Sequence, residues 1–275
     1  MIKLKNYFKK LYEIILTPSM FYLPGNIAFF LVLSIFPILT LIGVIASSLG
    51  LNINSIVNII DVTFPQEIAG VLDSFIQGKG FDSNIGIFMI IGFFLASNGS
   101  DAIILASNNL YGFPNSSYLK RRVKAIFMII LLLLLMIFML GFIAFGNVIL
   151  NYILSYISDQ KLVDIIYTLF VVLKWPLAIF VIFFNVKLIY TIAPDWKIMS
   201  KHTTKGAIFT TISWIVVVEI YSFWVTNFAN YDLFYGSLSS IVVLMLIIFA
   251  ISYIFVIGIA INVKSYEYKL EDWLK

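Results

Sequence analysis

The sequence predicts an all-α polytopic membrane protein with six transmembrane helices, N-in/C-in topology and an amphipathic helical outer loop between the first two spans. Three observations carry this. The 275 residues are 61% hydrophobic and only 12% charged, where soluble domains carry roughly 25% charged residues. Mean hydropathy, at +1.03, expresses the same balance. Uncharged apolar runs recur at about the 20-residue length that crosses roughly 30 Å of hydrocarbon. Lysine and arginine gather on alternate sides of those runs.

The runs give spans at about 26–48, 84–107, 125–150, 175–193, 206–228 and 237–263. Lys187 and Glu219 interrupt the fourth and fifth. With a cytoplasmic N-terminus, the inner segments hold fourteen of the 18 basic residues. They include Lys120, Arg121, Arg122 and Lys124 before the third span, where the charge pattern fits anionic lipid headgroups. The outer loops hold only Lys79 and Lys161. The loop 49–83, with INSIVNIIDV and EIAGVLDSFI, reads as amphipathic helices lying over the outer face. No linker or low-complexity tract divides the chain, so residues 1–275 form a single membrane domain. The basic N-terminus lacks a small-residue cleavage site and reads as a retained amphipathic segment.

Soluble-enzyme patterns are missing. There is no cysteine and one histidine, so neither a thiolate metal site nor a Ser–His pair can be assembled with any redundancy. His202, in KIMSKHTTKGA, reads as a solvated loop residue. No cofactor or metal is implied, and no nucleic acid is expected at the basic clusters, which topology explains.

Ionisable residues within a span cost at least a few kcal/mol unless paired or hydrated, so each is a candidate for function. Asp101, in ASNGSDAIILASNN, lies about 10 Å from the inner end of its span and faces two readings: a pair with Lys187, or a cap on a broken helix. Glu219, in WIVVVEIYSFW, lies roughly 20 Å from the inner end and has no certain partner. Lys174, beside Trp175 and Pro176, reads as a residue of the outer interfacial belt. Asn108 closes the polar stretch of the second span.

Pro37 removes a backbone hydrogen bond within the first span, and Ser34, three residues earlier, is placed to satisfy the freed carbonyl. The expectation is a bend facing the bundle interior.

These motifs in this order resemble the YihY/BrkB family. Ser34 and Pro37 match its Ser-x-x-Pro step, Asn108 and Tyr111 the end of its second span, and YLKRRVKAIF the start of its third. Tyr190 and Pro194 match its Tyr-x-x-x-Pro, Gly206, Ala207 and Trp214 its fifth span, and Tyr235, Gly236, Ser237 and Leu238 the stretch that follows. Gly258 and Asn262 fit the family's closing Gly-Ala-Glu-x-Asn, but Ala260 stands where the glutamate would be.

The resemblance implies a multi-pass protein of the cytoplasmic (inner) membrane. Its implied work is transport or trafficking of lipids or lipid-linked substrates, with a virulence label. A non-transporting scaffold, a homo-oligomer or partner subunit of an envelope assembly, and an ion- or proton-coupled solute transporter stay open as alternatives. The family's older ribonuclease label finds no support in the residues, and no enzyme activity is expected.

Overall fold

The computed structural model describes residues 12–13, 15–48, 57, 85–157, 159–228 and 239–273. Six long helices account for most of them: α1 Ser19–Ser48, α2 Ile85–Tyr111, α3 Tyr118–Leu154, α4 Gln160–Ile192, α5 Thr204–Phe228 and α6 Ser239–Trp273. A 3-10 turn, Ser200–His202, lies between α4 and α5. Among the described residues there is no strand. Among the described residues, three stretches, Gln160–Ile192, Thr204–Asn227 and Ile241–Tyr266, are long and apolar enough to cross a membrane.

Each expected span coincides with a helix, but several helices outrun it. The largest difference is α4, which begins fifteen residues before the expected start of the fourth span. Asp159 caps it by accepting the Lys161 amide at 2.9 Å, and the helix continues through Pro176. Inside a membrane bundle such a proline is tolerated where a water-exposed helix would break. The expected outer loop 49–83 lies outside the described residues except for Val57.

The helices pack as a bundle in which α6 contacts α1, α2 and α5, α1 lies against α2, and α3 bridges α2 and α4. The core gathers Met20 and Ile27 of α1, Ile104 and Ala106 of α2, Met128 of α3, Tyr190 of α4, and Val256 and Ile259 of α6. These residues lie towards the end where the turns 112–117 and 193–203 connect helices, called here the basic end.

Lipid offers apolar side chains no advantage in leaving it, so close packing of small residues and interhelical hydrogen bonds must hold such a bundle together. The polar stretch of α2 serves this purpose. Ser97, Ser100 and Ser107 are buried, and Gly99 lets α1 approach until a Cβ there would stand 3.5 Å from Leu31 and Ser34.

Away from the basic end the picture changes. No described side chain of α4 from 160 to 177 is buried, and none of α5 from 212 to 224.

Candidate functional site

Two polar clusters organise the basic end. The first is centred on Asp195, just past the end of α4. Its Oδ2 accepts Asn108 Nδ2 at 2.7 Å and the Ser116 amide at 2.9 Å, and its Oδ1 accepts Lys124 Nζ at 3.0 Å. Asn108 Oδ1 in turn accepts the Asp195 amide at 2.8 Å, and Asn108 Nδ2 reaches Asn115 Oδ1 at 3.0 Å. Lys124 Nζ also donates to the carbonyls of Ala193 and Pro194, both at 2.7 Å. Those carbonyls belong to the C-cap of α4 and the residue after it, where a cation complements the helix dipole.

Partial burial works to raise the Asp195 carboxyl, but the bonds from Ser116, Lys124 and Asn108 outweigh it and hold it down at about 2. Burial lowers the Lys124 ammonium from its ordinary value, against the upward pull of Asp195.

Aromatic rings of the adjoining segments pack on one another. Phe113 stacks on Tyr111 at 5.3 Å and on Trp196 at 5.8 Å, while Tyr266 meets Phe113 and His202 edge-on. His202 was expected to be solvated; it is buried in the 3-10 turn instead, because its ring packs beneath Tyr266 of α6.

The second cluster knots α4, α5 and α6. Tyr190, buried between them, donates its hydroxyl to the Phe255 carbonyl at 2.8 Å and therefore accepts from Thr210 Oγ1 at 2.7 Å. Asn262 Oδ1 accepts the Gly206 amide at 2.8 Å. The two glycines permit this approach. A Cβ on Gly206 would fall 2.1 Å from the Gly258 carbonyl oxygen, and one on Gly258 would fall 2.1 Å from the Tyr190 hydroxyl. Tyr190, Gly206, Gly258 and Asn262, scattered over 73 positions of the sequence, thus meet in one place. Ala260, standing where the family carries glutamate, is fully buried.

The other residues singled out in the sequence fall differently. Asp101 pairs with Arg121 at 2.5 Å, not with Lys187, and α2 is unbroken there, so it is not a cap. Lys187 instead lies 5.8 Å from the Phe183 ring. The reason is direction: α3 starts beside the polar end of α2 and offers Arg121 at the right height.

Arg122 is buried, hydrogen-bonded to Asn98 and to the Phe94 carbonyl, with its guanidinium 3.7 Å from the Phe94 ring centroid. Of the four residues expected to meet lipid headgroups, Lys120 is exposed, while Arg121, Arg122 and Lys124 turn to protein partners.

Glu219 is exposed on α5. Ser34 is buried and donates to the Phe30 carbonyl at 2.5 Å and to the Ala96 carbonyl at 3.4 Å; it does not serve the carbonyl of Leu33, which Pro37 would free. The α1 helix runs through position 37, but the side chains of Pro37 and Lys174 lie outside the described residues, as do Tyr235 and Gly236. Among the described residues no three of His, Cys, Asp and Glu gather as a metal site.

The sequence reading did not single out Asp195. Its signal was present: an acidic residue directly after a helix-ending proline, facing a basic loop across the second and third spans.

A bundle of long apolar helices knotted by buried polar groups and small residues defines a helical membrane protein. The chain belongs to the virulence factor BrkB family, whose sequence profile matches residues 15–273. It is 27% identical to the ribonuclease-like protein YfkH of Bacillus subtilis (strain 168) over 249 residues, covering 89% of this chain and 90% of that protein. It is 32% identical to a UPF0761 membrane protein of Alteromonas mediterranea over 59 residues, or 22% of this chain and 20% of that one. No solved structure matches it at a significant level.

Proposed function

We propose that this chain is a six-span protein of the cytoplasmic (inner) membrane, with both termini cytoplasmic, that takes part in transport or trafficking of lipids or lipid-linked substrates. The charge asymmetry supports the orientation, which puts the basic end in the cytoplasm. One observation carries the functional reading. The bundle is closed by polar contacts at the basic end, whereas the remote parts of α4 and α5 hold no buried side chain among the described residues, and the α5 part carries the exposed carboxylate Glu219. Apolar faces of this kind suit acyl chains. A carboxylate among them gives a headgroup, or the proton that moves with it, a polar contact at a depth where a bare charge is costly.

The test is reconstitution into vesicles with labelled phospholipids and lipid-linked sugars. Lipid movement or binding that falls at least tenfold in Glu219→Gln supports the reading. Absence of both, together with an unchanged cellular phenotype in that variant, overturns it.

The unpacked surface of α4 favours a second reading, a scaffold or partner subunit in an envelope assembly or a homo-oligomer. A stable partner co-purifying with a chain that moves no lipid would decide for it. An ion- or proton-coupled mechanism would rest on Glu219, since Asp101 is held by Arg121. Nuclease activity forms no part of this proposal.

A further inference from the structure

We propose that the Asp195 cluster is a releasable latch between two helical hairpins, and that the bundle has a second arrangement in which the α4–α5 turn parts from the α2–α3 turn at the basic end. This rests on the cytoplasmic placement of that end and on the transport reading above.

The hydrogen bonds recorded between the two turns pass through a few polar atoms. Asp195 supplies three acceptor contacts and one donor across the gap, and Lys124 adds two to the carbonyls of Ala193 and Pro194 just past α4. Below the turns, Ala193 joins Ala106 and Ala125 in the core; between the turns themselves the ring contacts are the stack of Trp196, 60% exposed, on Phe113 and the edge-on bridge of Tyr266 to Phe113 and His202. On its own side the α4–α5 turn is rooted, with Ile198, His202 and Thr203 buried and Thr203 bonded to Thr191 at 3.0 Å. It is therefore suited to move with its hairpin as a unit, the rigid-body motion by which packed elements switch.

The closed arrangement also leaves polar groups unsatisfied beside the latch. The hydroxyls of Ser107 and Tyr111 are buried without a hydrogen-bond partner among the described residues. Such groups disfavour the closed state and are relieved when water reaches them. Charge-assisted bonds on one side and stranded hydroxyls on the other are the ingredients of a two-state element.

The chain has no cysteine, so single thiols can be placed in it directly. Ser107→Cys, beside Asn108, reports on the latch, and Ile104→Cys, in the core, reports on the fold. Both are treated with a membrane-impermeant maleimide in inside-out vesicles, in the native background and with Asp195→Asn, Lys124→Met or Asn108→Ala. Labelling at 107 should rise at least tenfold in all three variants while 104 stays protected. The charge-swapped pair Asp195→Lys with Lys124→Asp should bring the rate at 107 back towards native.

Unchanged labelling at 107 overturns the latch. So does labelling of both positions in every variant, which makes the cluster a general support of the fold. Reaction from right-side-out vesicles alone would refute the orientation and leave the latch standing. Because no lipid substrate enters the assay, its outcome is separate from that of the transport reading.

Discussion

Asn108 and Asp195 hold each other twice. The amide of Asn108 donates to the Asp195 carboxylate at 2.7 Å, and its carbonyl oxygen accepts the Asp195 backbone N–H at 2.8 Å. A residue at the end of α2 is thereby fastened to one 87 positions later, and Asn108 is wholly buried in doing so. No other side chain has the matched donor and acceptor at this length except aspartic acid, which lacks the donor when ionised.

This relationship predicts an acid dependence. The folded chain holds the Asp195 carboxyl at about 2, below its ordinary 3.8. A depressed carboxyl contributes stability that is complete above the unfolded value and is lost as pH falls through the folded one. The unfolding temperature of the native protein in detergent should therefore fall between about pH 4 and pH 2. Asp195→Asn should start lower at pH 7 and fall less across that interval. Parallel curves would refute the assignment.

The glycine knot predicts an order of damage. In Gly206→Ala the new methyl meets the backbone oxygen of Gly258 at 2.1 Å, which cannot swing away, whereas Gly25→Ala meets only Phe249 at 3.9 Å. Gly206→Ala and Gly258→Ala should each cost about 1–3 kcal/mol or more. Gly25→Ala should stay within about 0.5 kcal/mol. Denaturant unfolding in a fixed detergent measures the order.

Tyr190→Phe removes one hydroxyl that serves two helices and leaves Thr210 without its acceptor in a buried place. A loss of about 1–3 kcal/mol is expected, with the fold retained because the ring still packs against Phe255 at 4.6 Å. Thermal unfolding of the purified variant reads this directly. Wild-type stability would mean that the hydroxyl is not bonded as described.

The Asp101–Arg121 pair makes a sharper test of which cation Asp101 uses. Asp101→Asn should lower stability by about 1–3 kcal/mol by leaving a partly buried guanidinium without its counter-charge. Lys187→Met should have an effect within about 0.5 kcal/mol. The reversed pair, Asp101→Arg with Arg121→Asp, should recover part of the loss; recovery with Lys187→Asp instead would contradict the pairing.

Glu219→Gln separates function from fold. The side chain is exposed, so stability should change by no more than about 0.5 kcal/mol while lipid movement falls. A variant that loses stability along with activity would show that Glu219 supports the bundle.

The helical membrane class was legible in the sequence because it depends on quantities that add along a chain. Apolar length and the scarcity of charge each register locally, and each expected span coincides with a helix. The start of α4 was not legible, because Lys161 and Asp164 interrupt the apolar run and only the cap at Asp159 and the continuous hydrogen bonding show where the helix begins. The members of the glycine knot were visible as separate motifs, but their meeting was not. Spacing along one chain does not encode which helix faces which.

The same limit governs the site. The sequence by itself determined that Asp101, Glu219 and Asn108 are polar groups at depths where polar groups need a reason. Only the tertiary structure decided their fates: Asp101 is neutralised by Arg121, Asn108 is locked to Asp195, and Glu219 is left exposed. Insertion into a membrane depends on the free energy of each segment, which composition sets. Pairing depends on the rotation and height at which helices meet, which only the packed bundle fixes.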